Sequence, residues 1–170
     1  SLTDLDLSEN LISNGTTGLL PSIEIGVFKD LKVLTKLNLD NNKLTNIDTD
    51  VFKGLTSLDV LSLKKNQISN IKEGRFIQLD KLTKLILSEN KISSINEKAF
   101  HGLNSLKTLD LHDNQISNGR IESKNIATDA SIAKHTFDNL NKLEKLVLSK
   151  NKITKIEKNR FRPLIALTVL

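Results

Sequence analysis

A chain of 170 residues that holds no Cys, Met, Trp or Tyr cannot form disulfides, thiolate metal sites or cysteine nucleophiles. With 26% charged and 38% hydrophobic residues it is neither a disordered nor a membrane-spanning composition, and no apolar run approaches the roughly 20 residues of a bilayer-crossing helix. The net charge of +5 is graded: residues 1–60 carry 5 Lys and Arg against 9 Asp and Glu, residues 61–133 carry 11 against 8, and residues 134–170 carry 9 against 3. Such a gradient steers a charged partner toward one end, although lysines also simply keep a Leu-rich surface soluble.

The first phrase, LTDLDLSENLIS at 2–13, alternates Leu2, Leu5 and Leu7 with Asp4 and Asp6, the pattern of a short half-buried strand. The phrase closes on Asn10, and it returns with Asn42, Asn66, Asn90, Asn114 and Asn151; the three gaps from Asn42 to Asn114 are each 24 residues. Phe28, Phe52, Phe76, Phe100, Phe137 and Phe161 keep the same period and are the only Phe, Trp or Tyr in the chain. Two markers in phase at this period are the signature of a solenoid.

Between the markers each regular copy continues with apolar positions and then the Phe: Leu44, Ile47 and Phe52; Ile68, Ile71 and Phe76; Ile92, Ile95 and Phe100; Ile153, Ile156 and Phe161. The asparagines stand where the chain must leave the strand. A buried Asn amide there can satisfy backbone groups of its own coil and of the next, so the six should stack as a structural ladder. The six Phe should stack as an internal spine under the convex side.

Two copies break the period between the Asn and the Phe. One has 18 residues from Asn10 to Phe28 and the other 23 from Asn114 to Phe137, where the regular spacing is 10. The additions fall near residues 14–21 and 118–130, with Ile23 and Ile132 taking the place of Ile47. Inserts in solenoids form loops on one side, often the binding side, although loop length also drifts freely. Leu19, Leu20, Arg120, Glu122 and Lys124 are the candidate contacts in these loops, which would stand about 20 Å apart if four coils stack at ~4.8 Å. Asn14-Gly15-Thr16 in the first insert is an N-glycosylation sequon.

With these residues in view, the repeat LxxLxLxxNxIxxIxxxxFxxLxxL, written here as LDVLSLKKNQISNI, LTKLILSENKISSI and LEKLVLSKNKITKI, resembles the 24-residue typical class of leucine-rich repeats. That class includes the ectodomains of Toll-like receptors, chaoptin-like adhesion proteins and Slit-like guidance proteins, and the irregular inserts resemble Toll-like receptors somewhat more than the regular proteoglycans. The resemblance implies a leucine-rich-repeat solenoid of the α/β-type repeat architecture, right-handed and curved. A parallel sheet of short strands would line its concave face, with short 3-10 or irregular turns on the convex one. It implies one array over 1–170, about six full repeats plus a partial one, in an extracellular or cell-surface protein that recognises other molecules. The cysteine caps of the family are missing, so the array reads as an internal segment of a longer one.

The concave face is then written by the letters between the leucines. One column is Asp4, Lys36, Val60, Lys84, Thr108 and Lys145; the next is Asp6, Asn38, Ser62, Ile86, Asp110 and Val147; a third is Ser8, Asp40, Lys64, Ser88, His112 and Ser149. Val60, Ile86 and Val147 break the polar default and, with Lys64, Lys84 and His112, outline a mildly apolar, cationic centre. The candidate partner-binding set is therefore Val60, Ser62, Lys64, Lys84, Ile86, Ser88, Asp110, His112, Lys145 and Val147. The expected partner is a protein or a glycan. A spacer array without a specific ligand is the competing reading, and nucleic acid held by Lys145, Lys150, Lys152, Lys155, Lys158 and Arg160 is a third. No catalytic motif, phosphate loop or metal-ligand spacing involves His101, His112 or His135, and no cofactor is implied.

Overall fold

The structure, a computed structural model, describes residues 2–13, 23–117, 132, 135–156 and 158–170. Its strands, in chain order, are β1 (Asp4–Asp6), β2 (Lys36–Asn38), β3 (Val60–Ser62), β4 (Asn70–Ile71), β5 (Lys84–Ile86), β6 (Ser94–Ile95), β7 (Thr108–Asp110) and β8 (Lys145–Val147). β1, β2, β3, β5, β7 and β8 pair in that order, all parallel, into one six-stranded sheet, and β4 and β6 form a second, two-stranded one. This is a leucine-rich-repeat solenoid, one coil per strand of the main sheet. Val169 extends the main sheet by a parallel bridge to Lys145.

Each strand of the main sheet is three residues long, and its middle leucine faces the core. Leu37, Leu61, Leu85, Leu109 and Leu146 are buried, as are Leu39, Leu63, Leu87 and Leu111 two positions on. The chain then turns out of the strand through a left-handed residue: Glu9, Asn41, Lys65, Glu89, Asp113 and Lys150, each just before a ladder asparagine, have φ between 52° and 57°.

The asparagine fastens that turn. Asn90 Nδ2 donates to Leu87 O at 3.1 Å and Ser88 O at 3.2 Å in its own coil, and to Leu63 O at 2.9 Å in the coil before; its Oδ1 accepts from Ile68 N–H at 3.0 Å. Asn42, Asn66, Asn114 and Asn151 repeat the scheme. The sequence led us to expect bonds to the next coil; the amides reach the preceding one, because the strand-exit carbonyls there point along the stack toward them. Asn10, at the start of the stack, donates to Leu7 O and Ser8 O of its own coil and is exposed.

On the convex side the spacing Phe-x-x-Leu-x-x-Leu makes successive turns with bonds between residues three apart. Leu55 N–H donates to Phe52 O (3.3 Å) and Leu58 N–H to Leu55 O (3.2 Å), and the other coils repeat this. Three residues per turn brings every third side chain to the same side, which is why Phe and both leucines all enter the core. Among the described residues this side holds turns and no helix. The rings of Phe52, Phe76, Phe100 and Phe137 stack nearly parallel at centroid separations of 6.2–6.3 Å, and Phe161 follows, tilted, at 5.9 Å. Phe28 is also buried, whereas Phe161 is only half-buried. Ile132 pairs with Ile95 through a parallel bridge, so it occupies in its coil the place of Ile71 and Ile95.

Two glycines mark where coils touch. A Cβ on Gly54 would lie 2.3 Å from Lys29 O, and one on Gly102 2.7 Å from Ile77 Cα; both residues have φ above 90°. The inserts, with Asn14, Leu19, Leu20, Arg120, Glu122 and Lys124, lie outside the described residues.

Candidate functional site

The strand register brings together the columns read from the sequence. Asp4, Lys36, Val60, Lys84, Thr108 and Lys145 are successive Cα partners across the sheet, and so are Asp6, Asn38, Ser62, Ile86, Asp110 and Val147. Parallel in-register pairing is what carries identical repeat positions onto one line.

Most polar letters in the second column have local work. Asp6 Oδ1 accepts from Ser8 N–H at 2.9 Å, Asn38 Oδ1 from Asp40 N–H at 3.0 Å, and Asp110 Oδ1 from His112 N–H at 2.9 Å. Each cap satisfies an amide at the strand exit. In the coil of β3 the neighbour does it: Asp40 Oδ1 accepts from Lys64 N–H at 2.8 Å and from Ser62 Oγ at 2.5 Å. Ile86 and Val147 stand in the same column and can make no such bond. Their presence gives up a cap in exchange for apolar surface.

Several members of the predicted centre sit differently from the expectation. Ser62 and Ser88 are buried, Ser62 through its bond to Asp40 and Ser88 between the longer Lys64 and His112, so neither presents surface to a partner. Lys64 is not a bare cation: its Nζ lies 2.9 Å from Glu89 Oε1, and Lys65 Nζ lies 3.8 Å from Glu89 Oε2. The hydrogen bond from Lys64, reinforced by the charges of Lys64, Lys65 and His112, holds the Glu89 carboxyl below the usual range. The bond to Glu89, with the charges of Glu89, Asp40 and Asp110, raises Lys64. Glu89 was missed from the sequence because it lies one residue beyond the third column; the left-handed turn aims it back at the sheet.

What remains accessible is a half-buried pair, Val60 and Ile86, diagonal to one another on β3 and β5, beside the exposed Lys84. Among the described residues Lys84 and Lys145 make no ion pair, in contrast to Lys36, whose Nζ meets Asp4 Oδ1 at 3.1 Å. Val147 is separated from Ile86 by Asp110 on β7, so the single apolar centre expected from the sequence divides in two. Val147 instead borders a cleft of about 520 Å³ that Lys145, Ile153, Ile156, Phe161 and Val169 also line.

His112 comes closest to catalytic furniture. Its Nδ1 lies 2.8 Å from Ser149 Oγ, yet Asp110 bonds to the backbone amide of His112 and not, in that contact, to its ring. A proton relay needs the carboxylate on the imidazole, and this arrangement places it on the main chain. Among the described residues no group of His, Cys, Asp or Glu could hold a metal ion, and no helix is long and apolar enough to cross a membrane.

Comparison with known families agrees with this architecture. A family profile described as Leucine rich repeat matches residues 56–116 and 130–170, and a second profile of the same description matches 33–55. No curated protein matches the chain. Arrays of this kind generally mediate protein–protein interaction and are typically non-catalytic. With the strand register, the asparagine ladder and the profile matches in agreement, the chain belongs to the leucine-rich-repeat family.

Proposed function

We propose that the chain is the recognition module of an extracellular or cell-surface protein, binding a protein or glycan partner with its concave face and carrying out no chemistry itself. The observation that carries this reading is Ile86. It occupies a column in which Asp6, Asn38 and Asp110 cap strand exits, and it lies beside Val60 and Lys84, which among the described residues makes no ion pair. Small apolar side chains ringed by polar ones are the composition of a contact patch. Without Trp or Tyr, the usual anchors of tight interfaces, the contact is spread over several coils. The inserts at 14–21 and 118–130 and the sequon at Asn14 belong to the same proposal, the loops as flanking contacts and the sequon as a glycan site.

The test uses the 170-residue array, immobilised and screened against extracellular domains and a glycan array. For the partner found, the pair Lys84→Glu and Ile86→Glu should weaken binding by about tenfold or more, since a charge forced into an apolar contact costs over a kcal/mol. Both positions point to solvent, so circular dichroism should not change. A partner that binds the double variant as tightly as the parent excludes this face, and a screen in which nothing binds the array favours a spacer.

A further inference from the structure

We propose a second binding surface, on the flank where the chain leaves the strands, that takes an acidic polysaccharide laid along the solenoid. The residue after each ladder asparagine forms a row: Leu11, Lys43, Gln67, Lys91, Gln115 and Lys152. Its backbone is pinned coil to coil, since Lys43 N–H donates to Ile12 O (2.8 Å), Gln67 to Leu44 O (2.8 Å), Lys91 to Ile68 O (3.0 Å), Gln115 to Ile92 O (2.9 Å) and Lys152 to Ile116 O (2.9 Å). Lys91 Nζ donates to Gln67 Oε1 at 3.2 Å, so that side chain lies along the row.

Beside it runs a row of short hydroxyl side chains, Ser13, Thr45, Ser69, Ser93, Ser117 and Thr154; bridges pair Ser13 with Lys43 and Ser117 with Lys152. Neither row contains a carboxylate. The acids nearest in sequence are Glu9, Glu89 and Asp113, one residue before each ladder asparagine, and Glu89 is engaged by Lys64 and Lys65. Lys150 and Lys155, both exposed, add positive charge at the Lys152 end.

The chemistry of the ligand follows from the pitch. Lys43, Lys91 and Lys152 stand on alternate coils, about 10 Å apart if coils stack at ~4.8 Å, which is about one disaccharide of an extended chain. Gln67 and Gln115 fall between them with amides suited to sugar hydroxyls. A polymer bearing one carboxylate or sulfate per disaccharide would meet a lysine at every repeat. Each exposed ion pair is weak alone, but cations held at a fixed pitch act together through effective concentration. Five of the six rings are buried in the core and Phe161 is partly buried against it, which favours a saccharide over a single-stranded nucleic acid.

The experiment measures binding of heparin-derived oligosaccharides, from disaccharide to decasaccharide, to the 170-residue chain near physiological salt. Affinity should climb steeply with length and level off once the oligomer spans Lys43 to Lys152, four coil steps or about 19 Å. The triple variant Lys43→Gln, Lys91→Gln, Lys152→Gln should lose about tenfold or more. A control removing the same charge from the exposed lysines Lys29, Lys53 and Lys81 should lose less than about threefold. Equal losses in the two triples, affinity independent of length, or equal competition by a single-stranded oligonucleotide of matched charge would each overturn the proposal in favour of unspecific attraction to polyanions.

Discussion

Asn90 and Asn10 carry the same letter and hold different amounts of structure. Asn90 is buried and bonds one amide N–H and three carbonyls across two coils. Truncation to Ala strands those groups away from water, at about 1–3 kcal/mol for each one left unmade; Asn90→Ala should cost at least about 3 kcal/mol in chemical denaturation. Asn10→Ala, at an exposed residue that among the described residues bonds within its own turn, should cost under about 1 kcal/mol. A cost for Asn10→Ala equal to that for Asn90→Ala would refute the inter-coil account of the ladder. Glycines separate in the same way. Gly74→Ala meets nothing within 4 Å and bears only the left-handed backbone, about 1–2 kcal/mol. Gly54→Ala and Gly102→Ala add a collision with the backbone of Lys29 and Ile77 and should lower the melting temperature markedly further.

The Glu89 carboxyl offers a pH test at the same scale. Its pKa is held down in the fold, so its contribution is complete above the unfolded value and disappears as pH falls through the folded one. An NMR titration should place its midpoint below that of a glutamate in a peptide, and Lys64→Gln should move it back up. Lys64, shifted upward, behaves oppositely: its contribution is whole below the ordinary lysine value and is lost only in stronger alkali. Both side chains meet solvent, so added salt should shrink both shifts.

At the scale of the coil, the spine is the element that every repeat shares. Phe76 is fully buried between Phe52 and Phe100; Phe76→Ala should cost about 3–5 kcal/mol. Phe161, half-buried and tilted against Phe137, should cost clearly less, and equal costs would mean the rings do not act as a stack. These positions were legible in the sequence because leucine, asparagine and phenylalanine keep one period, and that period alone fixes strand register and therefore the columns. The direction of the asparagine bonds was not, since it depends on which neighbouring coil presents its carbonyls. The burial of Ser62 was hidden for a similar reason: it rests on Asp40, 22 residues away. Glu89 was hidden because a positive φ re-aims a side chain in a way that alternation does not encode. The short pairing of β4 with β6 was unmarked too, because Asn70 and Ser94 are not strand-forming letters and gain their pairing from the stack.

Across the whole molecule, burial is not uniform. Leucines and isoleucines from the coil of β2 to that of β7 are mostly sealed, whereas Leu5, Leu7, Leu148, Ile153 and Leu167 are only partly buried. In an array whose coils touch only their neighbours, local opening follows local burial. Amide hydrogen exchange should be slowest in β3, β5 and β7 and fastest in β1 and around Val169. Uniform protection would show that the array opens only as one block.

The backward reach of the asparagines gives the array a direction in time as well as in space. On the ribosome, each bend is held at first only by its own asparagine, and gains its inter-coil bonds once the next stretch of chain has emerged and supplied a second amide. Folding during synthesis would therefore trail the exit tunnel by a full coil. A stalled nascent chain would carry its newest coil loose, with every older one already locked.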